Sequence, residues 1–83
     1  MIFDAMMLEL SGRELEYLMA MTKDDRFSDV SEIARRMGIG RNNAAQIRRR
    51  LTEHGAIGER GRGRMGFELP LLREYLVRTA ESL

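Results

Sequence analysis

Apolar side chains recur at helical spacing in three stretches of the first two thirds of this chain. Residues three, four and seven positions apart share one face of an α-helix, so each stripe predicts an amphipathic helix. The three stripes are Leu15, Leu18, Met19 and Thr22; Val30, Ile33, Ala34 and Met37; and Ala44, Ile47 and Leu51. They predict a first helix over residues 12–22, a second that ends before Gly38, and a third over residues 41–54.

Capping signals precede two of these helices. Ser11 with Glu14, and Asp29 with Glu32, have the spacing of a capping box, in which each side chain bonds the other residue's backbone N–H. This arrangement keeps Glu14 outside the apolar face of the first helix. Gly38 occupies the position where a helix commonly ends in a left-handed conformation. The short connection after Gly38 predicts a helix-turn-helix.

The apolar pattern changes to a period of two near the end of the chain. Met65, Phe67 and Leu69 alternate with polar residues or glycine, which predicts a β-strand. We expect strands over residues 57–60 and 64–69, joined by a glycine-containing hairpin, with residues 27–28 as a third strand. The predicted core is formed by Ile33, Ile39, Ile47, Leu51, Ile57 and Phe67.

A last helix is predicted after the hairpin. Pro70 suits the first turn of a helix. Its apolar stripe consists of Leu72, Tyr75, Leu76 and Thr79. Residues 1–10 are rich in apolar side chains without a clean period, so they predict either a short strand or a helical arm. The organisation is therefore an N-terminal arm over residues 1–10 and one domain over residues 11–83.

This order of elements predicts a mainly α fold with a small antiparallel β-sheet. Three helices, a two-stranded hairpin and a C-terminal helix are the parts of a winged helix-turn-helix domain. The chain has 83 residues, which is enough for one small domain.

Charge is strongly segregated although the net charge is only +1. Residues 1–32 carry eight acidic and three basic side chains, whereas residues 33–64 carry nine arginines and two glutamates. Thirteen of the fourteen basic residues are arginine, whose planar fork suits bidentate contacts to phosphate or guanine. The distribution predicts one electropositive region around the third helix and the hairpin.

The third helix and the hairpin carry the candidate DNA-binding residues. Opposite the stripe of the third helix lie side-chain types that bond base edges in the major groove. We select Arg41, Asn42, Asn43, Gln46, Arg49 and Arg50 of the helix, and Arg60, Arg62 and Arg64 of the hairpin. The hairpin arginines alternate with glycine and are expected to protrude toward phosphates or a minor groove. Arg35 and Arg36 are expected where the second helix crosses the DNA backbone.

Other chemistries find little support in the sequence. There is no cysteine and a single histidine, His54, so we expect no catalytic residues, no metal site and no cofactor. Residues 61–66 match G-x-G-x-x-G, but across a hairpin rather than between a strand and a helix, so nucleotide binding is not predicted. We expect no membrane span and no secretory signal, and the absence of cysteine is compatible with a cytoplasmic protein.

Several segments resemble a known class of domain. Residues 30–39 (VSEIARRMGI) look like the first half of many winged helix-turn-helix domains. Residues 48–57 (RRRLTEHGAI), 60–64 (RGRGR) and 67–76 (FELPLLREYL) are similar to the C-terminal winged-helix domain of some prokaryotic AAA+-type ATP-binding proteins, loosely related to origin-recognition ATPases. The resemblance implies a DNA-binding module. Because this chain has no Walker A sequence, it also implies that ATP binding belongs to a separate ATPase domain of a parent protein.

The sequence thus predicts a non-catalytic domain that binds duplex DNA, as one module of a larger AAA+-type ATPase. It leaves open a free-standing transcriptional regulator that dimerises through residues 1–10 and the last helix. It also leaves open a protein-interaction domain whose arginines bind an acidic partner, and RNA in place of DNA.

Overall fold

The structure, a computed structural model, describes residues 2–82 and the side chains of residues 5–81. Its elements are α1 (Ile2–Glu9), α2 (Gly12–Met21), β1 (Ser28–Asp29), α3 (Val30–Met37), α4 (Arg41–Glu53), β2 (Ile57–Glu59), β3 (Arg64–Phe67) and α5 (Leu72–Ser82). The predicted fold class is confirmed: the protein is mainly helical with a small antiparallel sheet, an arrangement compatible with the winged-helix class. Of the two alternatives for residues 1–10, the chain adopts the helix.

The sheet has three strands in the order β1-β3-β2, so β3 lies in its centre. Ser28 pairs with Met65 on one side of β3, and Ile57 pairs with Phe67 on the other. Strand β1 begins one residue later than predicted. The predicted strands at 57–60 and 64–69 were too long at their ends: β2 ends at Glu59, before the hairpin, and β3 ends at Phe67, where the chain leaves the sheet to form the turn that precedes α5.

One hydrophobic core joins the helices and the sheet. Of the six predicted core residues, Ile33, Leu51 and Ile57 are buried. The other three are partly buried and pack against that core: Ile39, Ile47 and Phe67. Burial of these side chains is the main favourable term that holds a domain of this size together.

The buried face of α2 differs from the predicted stripe by one residue. Leu15 is 36% exposed, whereas Glu14 is 5% exposed and Tyr17 and Met21 are buried. The buried positions 14, 17, 18 and 21 have the same i, i+3, i+4, i+7 spacing as the predicted set, and one residue corresponds to a rotation of about 100°. Helix α2 turns this face toward α3 and α4, so the prediction that Glu14 lies outside the stripe was wrong.

The first predicted helix cap forms in part and the second does not form. The backbone N–H of Glu14 donates to Ser11 Oγ at 3.2 Å. Asp29 occupies the N-cap position of α3 but makes no side-chain capping bond. Instead, Asp29 pairs with Arg64 in the sheet, and the Asp29 carboxylate lies 3.9 Å from Arg64 Nε. Sheet pairing at this residue replaces the predicted capping box.

The turn before α5 also departs from the prediction. Helix α5 begins at Leu72, so Pro70 precedes the helix instead of occupying its first turn. Leu71 has a φ of 69°, in the left-handed region that a leucine rarely adopts. Its side chain is 70% exposed, which leaves the neighbouring Leu72 to enter the core.

Two arginines fasten the C-terminal end of α2. Arg36 Nη1 donates to Ala20 O at 2.9 Å and to Asp24 Oδ2 at 2.8 Å. Arg73 Nη2 donates to Thr22 O at 2.8 Å, and Arg73 Nε donates to Asp24 O at 3.0 Å. The carbonyls at the end of a helix lack intrahelical partners, and these guanidinium groups supply them. Arg36, which we expected at a DNA backbone, is thus engaged within the domain.

The contact between Asp24 and Arg36 predicts a loss of stability in acid. A hydrogen bond from the Arg36 guanidinium holds the pKa of Asp24 below its ordinary value. In the unfolded chain the pKa of Asp24 returns to about 3.9. The contact therefore contributes fully to the stability of the fold above that pH, and this contribution is lost as the pH falls through the lower pKa that Asp24 has in the folded protein. We expect Asp24→Asn to reduce the free energy of unfolding by about 1 kcal/mol at neutral pH and to have a smaller effect near pH 2.

Urea unfolding at both pH values measures this difference. The matched control is Asp25→Asn, because the neighbouring Asp25 side chain is 97% exposed and its pairing with Arg73 Nη2, at 3.9 Å, is screened by solvent. An equal loss in both variants, or the same loss of Asp24→Asn at both pH values, would contradict the assignment.

Candidate nucleic-acid interface

Helix α4 presents most of the candidate residues on its surface. The preceding turn places it: Gly38 has a φ of 68°, which glycine adopts readily, and Ile39 is partly buried against the core. Ala44 and Leu51 are buried and fix the rotation of the helix. At about 100° per residue, the direction opposite to them falls on Asn42, Gln46 and Arg49. All six predicted α4 residues are exposed: Arg41, Asn42, Asn43, Gln46, Arg49 and Arg50.

The N-terminal end of α4 is electropositive. Its N-cap is Gly40, which has no side chain to accept the first backbone N–H groups, and the first turn contains no acidic residue. The free N–H groups and the helix dipole both favour an anion at this end. Arg41 and Asn42 follow directly, so this end of the helix combines backbone donors with side-chain donors.

A buried carboxylate lies on one flank of α4. Glu14 Oε1 is 4.0 Å from Arg50 Nη1, and Glu14 Oε2 is 4.0 Å from His54 Nε2. Glu14 Oε2 makes no hydrogen bond within the part of the chain that the structure describes. Beside it, a cavity of about 250 Å³ is lined by Asn43, Gln46 and Arg50, among others. Arg50 is therefore the α4 candidate that faces a negative charge of its own domain.

Sequence reasoning did not identify Glu14 as part of this surface. Its capping position suggested that its side chain would reach back to Ser11. The signal was present in the spacing: Glu14 precedes Tyr17, Leu18 and Met21 by three, four and seven residues. A carboxylate in a buried stripe is costly unless cations lie near it, and the third helix carries those cations.

We call the hairpin between β2 and β3 (residues 60–64) the wing. Its three arginines differ in the contacts that they make. Arg60 pairs with Glu68 and donates to Phe67 O at 3.0 Å. It lies across Gly66, where an added Cβ would come within 2.8 Å of Arg60 Cγ. Arg60 therefore folds back over its own sheet instead of protruding.

The other two wing arginines differ from each other as well. The Arg64 guanidinium lies 4.6 Å from the centroid of the Phe27 ring, a cation–π contact, and near Asp29. Arg62 is exposed at the tip of the wing and has no partner among the described residues. Arg62 is thus the wing arginine that is available to a ligand without breaking a contact.

The wing and α4 enclose a common cleft of about 450 Å³. Arg48 and Arg49 line it from the helix, and Arg64 and Met65 line it from the wing side. The tip is tied to the helix-turn-helix, because Val30 N donates to Gly63 O at 2.9 Å. The structure therefore places the predicted Arg49 and Arg64 on one cleft, which Glu53 and Glu59 also line.

Arg48 has an additional contact toward the core. Burial raises the pKa of Tyr17, and the neighbouring Arg48 guanidinium opposes that rise. Tyr17 is fully buried, and its hydroxyl has no hydrogen-bond partner among the described residues. Arg48 is only partly exposed, whereas Arg49 and Arg50 are exposed, because position 48 lies about 40° around the helix from the buried Ala44.

The described part of the chain has no candidate metal centre. Within residues 5–81, no group of three or more His, Asp or Glu side chains could hold a metal ion. None of the helices within residues 2–82 is long and apolar enough to cross a membrane.

Comparison with known proteins gives a single assignment. No curated protein and no solved structure matches this chain. The model of a family described as Domain of unknown function (DUF8462) matches residues 1–76, which include all elements from α1 to β3 and the start of α5. The chain belongs to the DUF8462 family.

Proposed function

We propose that this domain binds duplex DNA, with α4 in the major groove and the wing against the adjacent backbone. The observation that carries the proposal is the exposed row of Asn42, Gln46 and Arg49 beside the unpartnered Arg62 of the wing. Asn and Gln form bidentate bonds with adenine, and Arg forms them with guanine or phosphate. The spacing of α4 and the wing is fixed by the fold.

Charge favours a polyanion as the partner. Among the α4 candidates, Arg41 and Arg49 have no ion pair within the described residues, and Arg62 adds a third cation. Neutralising phosphates releases condensed counterions, so binding through these groups should weaken steeply as salt rises. The exposed amides of Asn42 and Gln46 lie next to these arginines and can bond base edges. A surface that only attracts negative charge would not need them.

The parent assembly is a separate part of the proposal. On the resemblance of residues 48–76 to AAA+-associated winged-helix domains, we place this domain beside an ATPase that acts on DNA in the cytoplasm. Such a tethered module needs affinity for duplex more than it needs a preferred sequence. A free-standing regulator would instead show a strong preferred site.

Fluorescence anisotropy with a random duplex tests the function. The titration is run at two salt concentrations and repeated with poly-glutamate of matched charge and with double-stranded RNA. We expect tight, salt-dependent binding to duplex DNA and much weaker binding to the other two. No binding to duplex at low salt would refute the proposal, and equal binding to poly-glutamate would favour an acidic protein partner.

The wing arginines are expected to contribute unequally to this binding. Arg62→Ala should reduce the salt dependence of the association constant by about one unit, since one phosphate contact is removed. Arg60→Ala should leave the salt dependence nearly unchanged, because Arg60 is engaged with Glu68 and Phe67 O. Titrations at several salt concentrations compare the two variants, which have the same charge change on the same hairpin. Equal slopes for both variants would show that the contacts of Arg60 open on binding.

A further inference from the structure

A wide groove runs along the side of the domain between α2 and α5. Its volume is about 1010 Å³. The apolar lining includes Leu15 and Met19 of α2, Met37 of α3, and Val77 and Ala80 of α5. We call it the α2–α5 groove. An open apolar groove of this size on a small domain is typical of an interaction surface.

The two ends of the α2–α5 groove carry opposite charges. Arg73, at the start of α5, donates to Thr22 O just after the end of α2, so these two helix ends meet. Lys23 and Arg73 therefore line one end of the groove, and Glu16 and Glu81 line the other. A partner that fits this groove needs an apolar ridge with acidic groups that can reach the basic end.

Helix α1 has the chemistry of such a ridge. Six of its eight residues are apolar, and its charged residues are Asp4 and Glu9, both acidic. Met6 and Met7 are partly buried against the core of their own chain, whereas Leu8 is 89% exposed. Helix α1 thus holds one face on its own domain and presents a large apolar side chain to the outside.

We propose that the α2–α5 groove binds α1 of a second copy of this chain. Under two-fold symmetry each chain gives its α1 to the other and receives one in return, which closes the assembly as a dimer. Leu8 enters the apolar lining, and Glu9, which follows it, lies toward Lys23 and Arg73. Each copy covers the exposed leucine and the open groove of the other.

The proposed dimer leaves the DNA-binding surface free. None of the groove residues belongs to α4 or the wing. Two copies would therefore present two α4 helices at once. The inference does not depend on DNA binding, so either proposal can fail while the other stands.

Sedimentation equilibrium over a concentration series tests the dimer. We expect the wild-type chain to approach the mass of two copies, and Leu8→Glu and Leu15→Glu each to weaken association by about tenfold or more. The matched control is Leu71→Glu, because Leu71 is also an exposed leucine but lies outside the groove. Thermal unfolding of each variant shows whether the domain remains folded.

Cysteine cross-linking gives a second measurement that does not depend on the glutamate variants. The chain has no cysteine, so Leu8→Cys and Ala80→Cys can be placed in separate chains and mixed with oxidised glutathione. A disulfide requires Cα atoms within about 7 Å, so a rapid mixed disulfide places α1 of one chain in the groove of the other. Leu71→Cys mixed with Ala80→Cys is the control pair.

Each outcome decides the proposal. A monomer at all concentrations overturns it, and so does a dimer that Leu8→Glu and Leu15→Glu leave intact. Cross-linking of the control pair as fast as the Leu8 pair also overturns it. A dimer that both variants disrupt, together with selective cross-linking, supports it.

Discussion

Replacing Arg49 with Glu is expected to weaken binding to duplex DNA by about 100-fold at low salt. Arg49 lies on the outward side of α4 and lines the cleft shared with the wing. The substitution removes one base or phosphate contact, worth about 1–3 kcal/mol, and places a negative charge against the phosphates. The loss should be smaller at high salt, because part of it is screened. Anisotropy titrations at two salt concentrations measure both effects.

The matched control for this substitution is Arg78→Glu. It has the same change of charge at an exposed position of α5, outside the proposed interface. We expect Arg78→Glu to weaken binding only slightly. If both variants lost affinity equally, binding would depend on net charge alone and α4 would not occupy a groove.

Truncating Leu51 to Ala is expected to cost about 3 kcal/mol of folding free energy. Leu51 is fully buried and is the larger of the two α4 residues, with Ala44, that are buried in the common core. The loss combines the transfer of its side chain to water with the cavity left behind. It is a large fraction of the roughly 5–15 kcal/mol that stabilises such domains. Urea unfolding of both proteins gives the difference.

Leu71→Ala serves as the control for stability, since it truncates an exposed leucine. Its effect should stay within about 0.5 kcal/mol. A small effect of Leu51→Ala would mean that α4 is held mainly by contacts other than this core residue.

The sequence was sufficient to predict those helices and strands for which the local signals and the packing in the core favour the same conformation. The α3–α4 unit was predicted well because Gly38 ends one helix and the stripe of Ala44, Ile47 and Leu51 defines the next. Both signals are local, and the core that forms around Ile33 favours the same arrangement. Strand β3 was predicted from the alternation of Met65 and Phe67, although burial along it does not alternate: Met65 is buried and Phe67 partly buried, but Gly66 is also buried because Arg60 lies over it.

Predictions were wrong where a distant contact decides the conformation. Helix α2 has several apolar residues around its circumference, so its pattern alone did not determine which stripe faces the core. The packing of α3 and α4 turns Glu14 inward and leaves Leu15 partly exposed. Asp29 had the spacing of a cap, but its pairing with Arg64 across the sheet depends on residues far along the chain.

In the candidate interface, too, some features could be predicted from the sequence and others could not. The residue types and the exposed face of α4 followed from helix geometry. The inward bonds of Arg60, and the stacking of Arg64 on Phe27, could not be inferred from an alternation of Arg and Gly. Arginines on a hairpin look equivalent in sequence, and only the positions of Glu68 and Phe27 distinguish them.

The hydrogen bond from Val30 N to Gly63 O bears on how α4 and the wing would act together in the proposed DNA binding. It fastens the wing tip to the first residue of α3, so the wing is not a tethered arm that must search for its target. Once α4 is seated, the backbone of the wing needs no further ordering, so the entropy lost for the second contact is mainly that of the Arg62 side chain. The domain would therefore engage a duplex in one step, as a rigid clamp whose two contact points keep a constant separation.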